Sequence, residues 1–77
     1  MKDIKLKDGD RVLEPSAGNG LLADGIIKVN SLINLECVEL NQACKNVLKE
    51  KGYNVVGSDF FQFNPSYQYD FVIGAPN

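Results

Sequence analysis

The residues through which this chain could do chemistry are a few carboxylates and a pair of glycines. Glu14 closes the short apolar stretch Val12-Leu13 and leads into Pro15-Ser16-Ala17-Gly18-Asn19-Gly20. That order reads as a strand, a tight loop and the start of a helix. Pro15 has no N–H to give to a strand ladder and ends it. Gly18 and Gly20 allow backbone angles that a Cβ would block. A helix that starts after such a loop turns free N–H groups and a partial positive charge back toward it. A nucleotide-like ligand can then lie against bare backbone. The carboxylate of Glu14 does not suit a phosphate, so the turn favours a cationic or hydroxyl-rich ligand. Glu39 and Asp59 stand at the ends of two later apolar segments. Taken singly, each is an ordinary strand-end or turn acid.

Metal and thiol chemistry are not indicated. The chain has no histidine, and Cys37 and Cys44 fit no zinc-ligand spacing. They read as two reduced, packed thiols.

The elements that must position these residues follow from pattern. Lys7-Asp8-Gly9-Asp10 is a turn sequence before the first strand, Arg11 to Glu14. A helix is expected from Asn19 or Gly20 to Val29, with Leu22, Ile26 and Val29 as its apolar stripe and Asp24 paired with Lys28. Gly25 weakens it by about 1 kcal/mol relative to alanine. Leu35 to Leu40 is a second strand, and Asn41 a plausible N-cap for a second helix with Cys44, Val47 and Leu48 inward. Gly52 sits where a glycine stops a helix. Asn54 to Ser58 is a third strand. Residues 60–68 are aromatic and polar without a period, a loop or one helical turn, and Tyr69 to Gly74 is a fourth strand.

Strand–helix alternation predicts an α/β fold with a parallel sheet and right-handed crossovers. Both helices then cover one face. The strands nevertheless carry apolar residues on both sides (Val12 and Leu13, Cys37 and Val38, Val72 and Ile73), and a parallel sheet is normally covered on both. No further helix is available. The chain is therefore expected to be a fragment, or to have its bare face covered by a second copy or a partner chain.

A chain of 77 residues holds one small domain. With net charge −2 and no basic tract, it has no electrostatic footprint for nucleic acid. No apolar run reaches the roughly 20 residues of a membrane span, and the first residues lack the apolar core of a signal peptide. A cytoplasmic protein away from membranes is the expectation.

Val12 to Gly20 resembles motif I of the class I S-adenosylmethionine-dependent methyltransferases, and Glu-Pro-Ser-Ala-Gly is most similar to the DNA adenine-N6 branch. Glu39 after the second strand, Asp59-Phe60 after the third and Asp70 to Gly74 before Ala75-Pro76-Asn77 fall in register with later motifs. The resemblance spans Arg11 to Asn77. It implies a partial Rossmann-like three-layer fold, a four-stranded sheet in order 3-2-1-4, and S-adenosyl-L-methionine as cofactor. It places Glu14, Ala17, Gly18 and Gly20 at the methionine end and Glu39 on the ribose hydroxyls. Asp59 would accept from the adenine amino group, the Phe60 N–H would donate to the ring, and Leu40 and Phe60 would sandwich it. It implies nucleic acid as methyl acceptor.

The same alignment departs from the family at the catalytic motif. Ala75 stands where an Asn or Asp side chain should accept the hydrogens of the target amino group, Pro76 matches the first proline, and Asn77 replaces the second. Positioning of the target nitrogen would be lost. The expectation is a cofactor-binding half that is not active as this chain. Two other readings remain open. Gly18-Asn19-Gly20-Leu21-Leu22-Ala23 fits a dinucleotide turn, with Glu39 on a ribose. Alternatively, the apolar sheet face makes the chain a non-enzymatic interaction module.

Overall fold

Val12 and Leu13 are successive residues of one strand, point to opposite faces, and are both buried. The structure, a computed structural model, describes residues 5–75. Its elements are β1 (Arg11–Glu14), α1 (Leu21–Val29), β2 (Asn34–Val38), α2 (Gln42–Glu50), β3 (Asn54–Gly57), a 3₁₀ turn (Phe60–Gln62) and β4 (Phe71–Val72). The strands form one parallel sheet in the order β3-β2-β1-β4, as the alternation and the resemblance implied.

One face carries Val12, Leu35 and Cys37, which pack with Ala23 and Ile26 of α1 and Leu48 of α2 in a single apolar core. The two helices therefore share this face. The buried side of α1 differs from expectation. Ala23 and Ile26 are buried, whereas Leu22 and Val29 are exposed. Leu21, Leu22, Ala23, Ile26, Ile27 and Val29 surround much of the helix, so periodicity alone does not select one side. Ala23, completely buried, is the small residue on the side that meets the core. Asp24 also pairs elsewhere: its carboxylate meets Lys51 Nζ at 2.9 Å and accepts from the Tyr53 hydroxyl.

The second face is not bare. Leu13 is 3% exposed and Val38 1%, although neither belongs to the core under the helices. The cover is the aromatic segment between β3 and β4. The hydroxyls of Tyr67 and Tyr69 both donate to Glu36 Oε1, and Glu36 pairs with Leu13 across β1 and β2. The Arg11 guanidinium stacks on the Tyr67 ring at 3.8 Å. Phe63 packs against Gly57, the strand partner of Val38. Val72, at the sheet edge, is the apolar residue of this face that stays exposed. The premise that a second copy or partner chain must cover the face is thus removed: residues of the same chain do so.

Strand ends are also trimmed relative to expectation. β2 stops at Val38 because the pairing with β3 shifts register between Cys37 and Val38. β4 pairs over two residues, continued by backbone bonds from Asp70 N to Arg11 O and from Ile73 N to Leu13 O. Gly74, at φ +107°, ends it. Asn41 caps α2 as expected, its side chain accepting from Cys44 N. Gly52, at φ +88°, stops the helix, with Gly52 N bonded to Lys49 O and Tyr53 N to Leu48 O.

Candidate functional site

Parallel strands aim their carboxyl ends at one edge of the sheet. In an open α/β sheet, ligands lie in the crevice beyond that edge, where the strand order reverses. Here the reversal is at β1, between β2 and β4. Glu14, the loop 15–20, Glu39 and Asp59 all stand at this edge, so the fold brings the sequence-derived candidates together.

Glu14 is 1% exposed and its Oε1 has no hydrogen-bond partner among the described residues. A buried carboxylate without donors is unusual and costly. Burial, with Glu39 and then Asp24 adding repulsion, pushes its pKa up to about 7. Gly74 lies close by: a Cβ there would fall 3.7 Å from Glu14 Cγ and 3.4 Å from Leu22 Cδ2. The carboxylate therefore sits between the end of β1, the first turn of α1 and the turn after β4.

The two loop glycines do different work. Both have positive φ, +56° for Gly18 and +88° for Gly20. A Cβ on Gly20 would come within 3.0 Å of Leu48 Cδ2 and 3.3 Å of Tyr53, so Gly20 lets the loop press against α2 and the turn after it. A Cβ on Gly18 would meet nothing within 4 Å. Gly18 thus leaves open space on the outer side of the loop. Ala17 is buried and ties the loop to β2 through its N–H to Val38 O.

The loop's own donors are largely consumed. Ala17 N bonds to Val38 O, Gly18 N to Glu39 Oε1 at 2.6 Å, and Gly20 N to Ala17 O. A phosphate nest needs such N–H groups directed outward. Glu39, 5% exposed, accepts a second backbone bond at Oε2, from Asn41 N at 2.8 Å. It therefore fastens the glycine loop to the start of α2. Each carboxylate oxygen keeps one further lone pair. Lys51 braces the loop from below by donating to Asn19 O.

A cavity of about 40 Å³ lies beside the loop, lined by Pro15, Ser16, Leu40, Ser58, Asp59, Phe60 and Phe61. Leu40, Asp59 and Phe60 are the residues expected to surround an adenine, and the chain sets them around one space. Asp59 Oδ1 caps the 3₁₀ turn by accepting from Phe61 N. Phe60 is the first residue of that turn, so its N–H has no partner inside it. Leu40 and Phe61 are strongly exposed at 70% and 73%, which leaves an open apolar rim. Phe61 stands edge-on to Phe60 at 5.8 Å.

A larger cavity, about 370 Å³, opens among Ile27, Ile33, Leu35, Lys51, Tyr53 and neighbouring residues. Glu36 also lines it, whereas Glu14, Glu39 and Asp59 do not.

Cys37 is completely buried, and burial, then the nearby Glu14, pushes its thiol up to about 12. It is an inert packing residue, and Cys44 is also free. No group of His, Cys, Asp and Glu able to hold a metal occurs among the described residues. Nor is any described helix long and apolar enough to cross a membrane.

Of the three residues aligned above with a catalytic motif, Ala75 is exposed, and Pro76 and Asn77 lie outside the described residues. Sequence reasoning did not single out Pro15, Ser16, Ser58 and Phe61 as cavity walls, nor Glu36. The signal for Glu36 was available: an acid interrupting the apolar run Leu35-Glu36-Cys37-Val38 needs donors if that strand is covered on both faces. Compared with protein-family models, curated proteins and solved structures, the chain matches none.

Proposed function

We propose that the carboxyl edge of the sheet holds S-adenosylmethionine, in the manner of the cofactor half of a class I methyltransferase acting on adenine in DNA or a similar amino group. The observation that carries this reading is Glu14: a buried carboxylate, lacking a partner at one oxygen, beside a glycine loop whose own N–H groups are mostly taken. A carboxylate oxygen that has lost water and gained no donor favours a cationic neighbour. It disfavours a pyrophosphate. The same pair of features argues against a dinucleotide, which would need a carboxylate-free turn and free loop donors.

When bound, this cofactor supplies a methyl group on a sulfonium centre. The chain's residues would divide the rest. Glu14 would face the cationic methionine end. Gly18 would leave room for close approach to the backbone. Glu39 would use its remaining lone pairs for ribose hydroxyls while still anchoring the loop. Asp59 and the Phe60 N–H would meet the polar edge of the adenine, and Leu40 and Phe60 its faces. Ala75 offers no side-chain acceptor to orient a target amino group, so this chain holds the donor without transferring its methyl group.

Isothermal titration calorimetry on the folded chain tests the reading with S-adenosylmethionine, S-adenosylhomocysteine and NAD. Binding of the first two and not of NAD is expected. No heat from either up to millimolar concentration would overturn the cofactor assignment. Methyl transfer to DNA by the purified chain would overturn its inactivity.

A further inference from the structure

The aromatic segment between β3 and β4 carries two things at once. Its first residues, Ser58 to Phe61, form one side of the cavity at the carboxyl edge. Its last residues, Tyr67 and Tyr69, lie over the second face of the sheet. An aromatic row of Phe63, Tyr69 and Tyr67 holds the later part of the segment, and the Phe63 N–H ties it back to the cavity end by donating to Phe60 O. Phe63 seats on Gly57, where a Cβ would fall 2.9 Å from Phe63 Cδ1. Phe63 is 6.4 Å from Tyr69, and Tyr69 is 5.5 Å from Tyr67. Both hydroxyls end on the same atom, Glu36 Oε1, at 2.6 Å from Tyr67 and 2.5 Å from Tyr69. Glu36 is 9% exposed, so these donors replace the water it lost on burial. Burial, then the bond to Glu36, holds the Tyr69 phenol far above the ordinary range, and it stays a donor. Arg11 closes the end of the row: its guanidinium stacks on Tyr67, and its backbone N–H donates to Asp70 Oδ2 at 2.8 Å.

We propose that Glu36 is a positioning residue for the site on the other side of the chain: by accepting both phenol hydroxyls it straps residues 58–70 to the sheet and so holds Asp59 and Phe60 in place. The anchor lies in the middle of β2 and is not among the residues that line the small cavity. Its influence runs through the segment, not through contact with a ligand. Only the ligand arm of the test below rests on the proposed function.

Three variants separate positioning from bulk stability. Glu36→Gln keeps an acceptor oxygen for the two hydroxyls. Glu36→Leu keeps apolar volume under the segment and removes the acceptor. Tyr67→Phe with Tyr69→Phe removes the donors and keeps the rings. Amide hydrogen exchange on the wild-type chain and each variant reads the segment locally, with Leu48 and Ile26, both buried inside helices, as reference amides in the core. Exchange at Phe61, Gln62 and Phe63 is expected to rise about tenfold or more in the Leu and double-Phe variants. It should stay within about threefold of wild type in the Gln variant, with the reference amides little changed. S-adenosylmethionine affinity should weaken about tenfold in the same two variants and recover in Glu36→Gln. Unchanged exchange at 61–63 in both disrupting variants would overturn the strap. So would an equal rise at the core amides, which would mark general loosening. If the wild-type chain binds no cofactor while its exchange follows the expected pattern, the strap stands and the cofactor assignment fails.

Discussion

Glu14 on β1 and Glu36 on β2 are both buried, one on each face of the same sheet. Glu36 has two phenol hydroxyls on one oxygen. Glu14 has an oxygen with no partner. The chain thus satisfies the acid on the face that it seals with its own aromatic segment. It leaves unsatisfied the acid beside the open glycine loop. The contrast separates two kinds of buried carboxylate in a small α/β unit, and under the proposed function the unsatisfied one is the one that faces the ligand. Burial is common to both, and the donor inventory separates them. Glu39 stands between: it is buried and accepts two backbone N–H groups, yet it borders the same loop.

Substitution should expose that difference, beginning at the satisfied acid. Glu36→Ala leaves two phenol hydroxyls without their acceptor and opens a gap under the segment. A loss of about 3 kcal/mol is expected in urea unfolding, and a loss below about 1 kcal/mol would erase the contrast. Glu14 should behave in the opposite sense. Its folded pKa, about 7, lies above the ordinary 4.5, so the folded chain holds the proton more tightly than the unfolded one. Its contribution is therefore harmless below about pH 4.5 and becomes destabilising as pH rises toward 7, by at most about 3 kcal/mol. Glu14→Gln should be more stable than wild type at pH 8, with the advantage shrinking toward pH 5. Urea midpoints across that range check the sign. A cation bound beside Glu14 would favour its ionised form. Affinity for S-adenosylmethionine should then rise between pH 5.5 and 7.5, and affinity for S-adenosylhomocysteine should rise less.

The two glycines sharpen the same division between packed and open sides. Gly20→Ala meets both a positive φ and the Leu48 side chain, and should cost about 2–3 kcal/mol. Gly18→Ala meets only the backbone cost, about 1 kcal/mol. Its larger effect should appear in ligand affinity, as calorimetry would show. The smallest change is expected at Asn41→Ala. It removes the side-chain cap of α2, worth about 1 kcal/mol, while the N–H that serves Glu39 remains. Thermal melting should detect the first effect, and ligand affinity should stay unchanged if Glu39 keeps its place.

The sequence by itself determined the order of the elements, the parallel sheet, the N-cap at Asn41, the helix stop at Gly52 and the meeting of Glu14, Gly18, Gly20, Glu39 and Asp59 at one edge. These follow from local rules: periodicity, caps, glycine angles and the handedness of crossovers act over a few residues or one crossover. Tertiary structure alone decided the rest. The aromatic stretch 60–68 has no period, so nothing local says that it lies across the second sheet face. Only the demand to bury Leu13 and Val38 and to give Glu36 donors places it there. Asp24 had Lys28 within reach on its own helix, yet it meets Lys51 and Tyr53, because α2 brings a cation and a phenol to the same spot. The buried side of α1 was likewise settled by the sheet beneath it, for apolar residues lie around most of the helix. Local patterning named the residues of the candidate site. Long-range packing decided which of their polar atoms were already spoken for, and left Glu14 Oε1 without a partner among the described residues.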